Sequence, residues 1–327
     1  MPSTMTSARE AGGTHAGVRL SGAVRDVYSR EILYNAQPNL IFAQFADRRT
    51  ELQRESGDTI KFTKYHDLHG SSKLSEVEPI QTTNISSNQV NIQVDEHGYG
   101  VSESERILRT AWDDTASRIV MLLGQHYGRS VDGLLRREII SAGSLQSVYA
   151  KDRATRADLV PADTFDVQAI KDAAEILAVE KAPKIGGAYI CAVHPHVARS
   201  LRDDAEWIEA HKYTQGNVDN IYRGEIGMME GVRFIETTHT TIITQSTGVV
   251  VADREATGAV EALSSANTAV YQSPIFGANG VGWAEALPVE FRTNGVIDFN
   301  RKQELCWYSI MGAGQIRPEN IALIESA

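Results

Sequence analysis

The sequence predicts an α+β fold. Residues 110–141 carry a long helical periodicity, two alternating apolar segments flank a polar stretch before it, and glycine-punctuated strand signals dominate from Gly216 onward. Helices and strands are mixed without a regular βαβ alternation, which points away from a doubly wound sheet. The chain has 327 residues, 42% hydrophobic and 23% charged, enough for one large or two ordinary domains. No apolar run approaches the ~18 residues of a membrane helix.

In chain order, Met1–Gly17 is small and polar with no hydrophobic centre, so it reads as an arm rather than a secretory signal. Residues 22–48 have helical spacing in Val27, Ile32, Leu33, Leu40, Ile41 and Phe45, broken at Pro38. Thr59–Tyr65 sets Ile60 and Phe62 on one face, and residues 89–94 set Val90, Ile92 and Val94 on one face. Between them lies a polar connection with scattered apolar residues. The pattern predicts a projecting hairpin whose apolar stripe lacks cover in a lone molecule. An isolated ribbon is marginal in water, so the cover is expected from elsewhere.

The 110–141 helix repeats Trp112, Ala116, Ile119, Leu123, Tyr127, Val131, Leu134 and Ile139, with Asp113 and Asp114 in its first turn. At ~1.5 Å per residue it would be a rod of about 45 Å. Gly124, Gly128 and Gly133 interrupt it, each costing roughly 1 kcal/mol against Ala. They suggest close approach of another element or, alternatively, a kink. Asp163 or Thr164 is the expected cap of a helix from Phe165 to about Lys181, ending before Pro183. Ala188–Val193 is a short buried-type strand, and His194-Pro195 opens a helix that continues to Lys212.

Residues 224–236, GEIGMMEGVRFIE, place Gly224, Gly227 and Gly231 before an alternating segment. A phosphate loop needs free N–H groups in a positive field, but Glu225 and Glu230 would repel a phosphate. These glycines read as turns feeding strands.

The chemistry-bearing motifs are sparse. His194 and His196 are two candidate metal ligands with no third at a companion spacing, and Pro195 at a first helical position explains the motif without metal. His66 and His69, flanking Asp67, read as a solvated cluster. Asp113-Asp114 and Asp203-Asp204 are adjacent, so on a helix their side chains diverge by about 100° and make poor acid–base pairs. No nucleophile elbow, Walker loop, zinc-helix motif or Cys-x-x-Cys is present. Cys191 and Cys306 are far apart and read as reduced core thiols. A net charge of −10 argues against gripping nucleic acid through the overall field. The expectation is therefore a non-enzyme with no catalytic residues, cofactor or metal.

The order of arm, polar hairpin, long helix and glycine-rich mixed half resembles the major capsid proteins of tailed double-stranded DNA phages, the Hong Kong 97 fold. The wording of Tyr34–Leu40, Gly57–Phe62, Glu96–Gly100, Gly224–Gly227, Gly231–Glu236 and Ser273–Gly277 is similar to the branch of large-virion-polymerase podoviruses and related prophages. The resemblance implies an N-terminal arm (1–45), an extended E-loop region (46–109), a peripheral domain with a spine helix (110–164 plus 290–327) and an axial domain (165–289). It implies self-assembly into hexamers and pentamers of a virion shell, with scaffold, portal and decoration proteins as partners. It implies, too, that packaged DNA lies close by without specific binding, that no membrane is involved, and that assembly takes place in the bacterial host cytoplasm. It also implies that maturation moves the E-loop and straightens the spine helix.

On this reading the assembly residues are the stripe Ile60, Phe62, Val90, Ile92 and Val94, the spine glycines, and the axial-domain turns at Gly224, Gly227 and Gly231. Two rivals stand beside it: an encapsulin-like protein compartment of the same fold, and a soluble metal-dependent enzyme using His194 and His196.

Overall fold

The computed structural model describes residues 22–50, 58–65, 82, 84–110, 115–212, 227–245, 248, 250–252, 268–299 and 301–327. Trp112, Asp113, Asp114, His66, Asp67, His69 and Gly224 lie outside them. Helix α1 spans Gly22–Ala36 and stops short of Pro38, which lacks the N–H that a continuing helix needs. Strands β1 (Asp47–Arg49), β2 (Thr59–Tyr65), β3 (Ser87–Gln93) and β4 (Asp95–Ser104) follow. Then come α2 (Glu105–Thr110) and the long α3 (Thr115–Gly143). The mixed half contains β5 (Ser147–Tyr149), α4 (Val167–Val179), β6 (Tyr189–Val193), α5 (Pro195–Arg202) and α6 (Ala205–Lys212). It continues through β7 (Met228–Met229), β8 (Val232–Glu236), β9 (Ile242–Thr244), β10 (Val250–Ala252) and β11 (Ala269–Phe276). The chain closes with β12 (Val281–Ile297), β13 (Lys302–Gln315) and β14 (Ile321–Ser326).

The chain divides into two compact units, and α3, β12 and β13 run through both. The first comprises residues 1–37, 97–127 and 289–309. Here α1 crosses α3 at Gly124. A Cβ on that glycine would stand 2.8 Å from the Ile32 carbonyl oxygen and 2.8 Å from the Asn35 Cβ. Gly124 thus serves close approach, and α3 is one continuous helix. Trp307 packs edge-on to Tyr127 at 5.3 Å and donates its Nε1–H to His126 Nδ1 at 3.1 Å. Tyr99 stacks on that imidazole at 4.3 Å.

The second unit comprises residues 38–96, 128–288 and 310–327. Its eight-stranded sheet has the order β10-β9-β11-β6-β8-β7, with β14 pairing antiparallel to β11 and parallel to β5. β14 is buried along its whole length, as befits a strand with neighbours on both edges. Helix α4 lays Val167, Ala169, Ile170, Ala173 and Leu177 into the core beside Cys191, Val193, Phe234 and Ile324. Within this unit α3 buries Val131, Leu135 and Ile139 at four-residue spacing, with Gly128 and Gly133 also buried.

Two local expectations need correction. The cap of α4 is Asp166, whose Oδ1 accepts the Ala169 N–H at 3.1 Å. Asp163 instead accepts from Arg153 Nε at 2.9 Å and from the Val160 N–H at 2.8 Å. The segment after His194 forms two helices rather than one. Asp203 ends α5, and Asp204 accepts the Glu206 N–H at 2.8 Å at the start of α6, so its carboxylate competes with helix continuation.

Candidate functional site

β2 and β3 pair antiparallel, with Ile60 opposite Ile92 and Phe62 opposite Val90. Strand alternation puts these side chains on one face. That face is not open. Ile60, Phe62, Ile92 and Val94 are buried against Ala284 and Ile316, with Val90, Ala286 and Ile310 around them. The expectation that the stripe lacks cover in a lone molecule is overturned, because the covering residues belong to the same chain.

Glycines explain the fit. A Cβ at Gly282 would stand 2.9 Å from both Phe62 Cζ and Ile92 Cδ1. One at Gly314 would stand 2.8 Å from Ile92 Cγ1, and one at Gly312 would overlap the Gln93 carbonyl oxygen. Three bare positions in β12 and β13 thus make a seat into which the ribbon sinks. The sequence carries the signal as Gly312-Ala-Gly314 within an apolar strand, since a glycine inside a strand marks close backbone approach.

Polar contacts fix the ribbon in the seat. Lys64 pairs with Glu319. Burial works against the Glu319 carboxylate, but the Lys64 hydrogen bond and nearby positive charge hold it below the usual range. Arg317 Nη2 donates to the Tyr65 carbonyl at 3.2 Å. Arg49 Nη1 donates to the Lys61 carbonyl at 3.2 Å, and its guanidinium lies 4.6 Å from the Phe62 ring centroid. The Val94 N–H donates to the Asp58 carbonyl at 2.8 Å. Beyond the seat, Tyr65 and Ile85 are exposed.

A second node anchors the segment after α1. Asp132 on α3 is fully buried, and its Oδ1 accepts the N–H groups of Ile41 at 2.9 Å and Phe42 at 2.6 Å. Its Oδ2 lies 3.2 Å from His239 Nδ1, and Arg136 Nη1 donates to the His239 carbonyl at 2.6 Å. These residues are about a hundred positions apart, so no sequence period reveals them. Phe42 and Phe45 pack beside Phe276 at centroid distances of 6.3 and 5.8 Å.

His194 is committed to capping rather than presented as a ligand. Its Nδ1 accepts the His196 N–H at 3.2 Å, with Pro195 at the first helical position. Among the described residues, no group of three or more His, Cys, Asp or Glu is placed to hold a metal. Cys191 is buried and Cys306 partly buried; burial raises both thiol pKa values, which makes them poor nucleophiles. Of the turn glycines, Gly231 forms a two-residue hairpin loop with Glu230 between β7 and β8, at φ 74° and 51°. Gly227, at φ 120°, precedes β7.

A family model described as phage capsid protein matches residues 141–322, more than half of the chain. The chain belongs to the phage capsid protein family. No curated protein matches it. Among solved structures, the capsid protein is similar to the capsid of cyanophage P-SCSP1u. The identity is 17%, the coverage 98% of this chain and 92% of that one, and the TM-score 0.65. It is similar to the capsid of Ralstonia phage GP4 at 15% identity, covering 86% and 87%, with a TM-score of 0.64. It is also similar to the capsid of cyanophage Pam1 at 13% identity, covering 99% and 98%, with a TM-score of 0.62. The capsid protein therefore has the Hong Kong 97-type α+β fold of tailed-phage capsids. Its ribbon, long helix and mixed sheet are parts of a structural subunit.

Proposed function

We propose that the chain is the major subunit of an icosahedral shell that encloses packaged double-stranded DNA. The observation that carries this reading is the phage-capsid family match across 141–322. Its work is geometric rather than catalytic: copies join as hexamers and pentamers, and many individually modest contacts add up in a closed shell. The map of arm (1–45), E-loop region (46–109), peripheral domain (110–164 plus 290–327) and axial domain (165–289) is part of this proposal. So are the scaffold, portal and decoration partners and assembly in the host cytoplasm. A net charge of −10 suits a container whose contents must not adhere to its wall.

The seated ribbon changes how contacts between copies are assigned. The stripe Ile60, Phe62, Val90, Ile92 and Val94 holds the ribbon's base to its own subunit. Contact with a neighbouring copy falls to groups beyond the seat, such as Tyr65 and Ile85. A further contact is Phe299 at the β12–β13 tip, which is 99% exposed. Asp298 and Phe299 both have left-handed backbones, at φ 53° and 55°. For Phe299 that backbone costs roughly 1–2 kcal/mol, and a side chain so exposed offsets none of it within the chain; Asp298 adopts it more readily, and its carbonyl accepts the Arg301 N–H at 3.0 Å. Strain kept at a projecting aromatic favours a docking role.

Negative-stain electron microscopy of the protein, expressed alone and with its neighbouring genes, tests the reading. Closed shells of uniform size are expected, with nuclease-resistant DNA in particles made with the packaging genes. Monomers under every condition, or shells filled with protein cargo, would overturn it.

A further inference from the structure

His194 sits where β6 ends and α5 begins, in the second compact unit. Its ring lies 5.3 Å from that of His196, nearly parallel at 8°, and 5.1 Å from Tyr271 on β11. Its Nδ1 accepts the His196 N–H, which is one of the unpaired donors at the start of α5. An imidazole can accept at Nδ1 only while that nitrogen carries no proton. Protonation there turns acceptor into donor and places two N–H groups face to face. It also sets a positive charge at the positive end of a helix, beside a second, nearly parallel imidazole.

We propose that His194 is an acid-sensitive clasp: its neutral ring holds the first turn of α5 on the sheet, and protonation releases that turn. This goes beyond the shell reading and does not depend on it.

The surroundings favour the neutral ring. Burial pushes the His194 pKa down, and the charge of His196 pushes it further; Glu236 at the end of β8 pulls the other way. Glu236 is itself engaged by Arg202 of α5 at 3.1 Å. Burial raises the Tyr271 phenol pKa, so that group stays uncharged throughout the acid range. A histidine whose folded pKa is depressed gives stability that is present above its unfolded value of ~6.5 and lost as pH falls through the folded value. The clasp therefore opens on the acid side of neutrality. What it releases is the helix that buries Val197, Ala198 and Leu201 in the core.

The test is hydrogen exchange of the full chain at pH 7.5 and 5.0, corrected for the intrinsic pH dependence of exchange. Protection of residues 196–202 should fall about fivefold at acid pH, the population change expected from losing one ordinary cap. Protection of β6 and β14 should hold. His194→Asn retains a good capping oxygen and removes the titrating ring, so its α5 should be equally protected at both pH values. His196→Gln keeps the cap and removes the like charge, which should move the transition to higher pH. Unchanged α5 protection in the wild type at pH 5.0 would overturn the proposal. So would an acid response in His194→Asn equal to that of the wild type, or a His196→Gln transition at unchanged or lower pH.

Discussion

The glycine seat yields a quantitative expectation for Gly312→Ala. The new Cβ would overlap the Gln93 carbonyl oxygen and stand 3.0 Å from the Gln93 carbonyl carbon and 3.3 Å from Val94 Cα. Carbon–carbon contacts are optimal near ~3.5–4.0 Å, so β3 must retreat by up to about 1 Å, which forfeits roughly a quarter to a half of the dispersion energy across the gap. The obstacle is backbone, so no rotamer change relieves it. Overpacking of this kind costs about 1–3 kcal/mol, while replacing Gly by Ala restrains the unfolded chain and returns ~0.4–1 kcal/mol. The clash wins, and the expected net loss is about 1–2 kcal/mol. Urea denaturation of the soluble subunit reads the loss as a lower midpoint, and hydrogen exchange reads faster opening at 59–65 and 87–94. Gly100→Ala is the control: its Cβ would meet the Cys306 Cβ at 3.4 Å, an ordinary contact, so a change within ~0.5 kcal/mol is expected. A Gly312→Ala protein with the wild-type midpoint and equally protected ribbon amides would show that the ribbon does not rest on this sheet.

Asp132→Ala should destabilise by roughly 3 kcal/mol in urea titration, because the buried Phe42 N–H and the half-buried Ile41 N–H lose their acceptor; Asp132→Asn, which keeps an acceptor oxygen, should lose less. Gly124→Ala gains up to ~1 kcal/mol of helix propensity but pushes against the Ile32 backbone, so exchange across Gly22–Ala36 should accelerate even where global stability barely moves. Gly124→Ala combined with Gly128→Ala should give defective or slowly expanding shells by electron microscopy, and normal expansion would remove the spine glycines from the mechanism. Phe299→Ala should leave subunit stability within ~0.5 kcal/mol of wild type. It should raise the protein concentration needed for shell formation about tenfold, as losing one partly buried aromatic contact predicts.

What could be read along the chain was whatever neighbouring residues decide among themselves. Pro38 ends α1 because it lacks an N–H. Alternation in 59–65 and 89–94 marks two strands, and four-residue spacing marks α3. His194-Pro195 announces a helix start, and the glycine at 231 a hairpin turn. The succession of these elements also carried the resemblance to tailed-phage capsids. The cap of α4 is not legible in the sequence because Asp163, Thr164 and Asp166 all offer a capping oxygen near its start, and only the folded backbone chooses Asp166.

The cover of the ribbon was decided elsewhere. An apolar stripe states that it must be buried, and that requirement is local. Which surface buries it depends on Gly282, Gly312 and Gly314, about two hundred residues downstream. Asp132 likewise finds its partners at Ile41, Phe42 and His239, and β14 finds β5 and β11. Pairings at such separations follow from how the whole chain closes on itself, and no periodicity in the sequence encodes them.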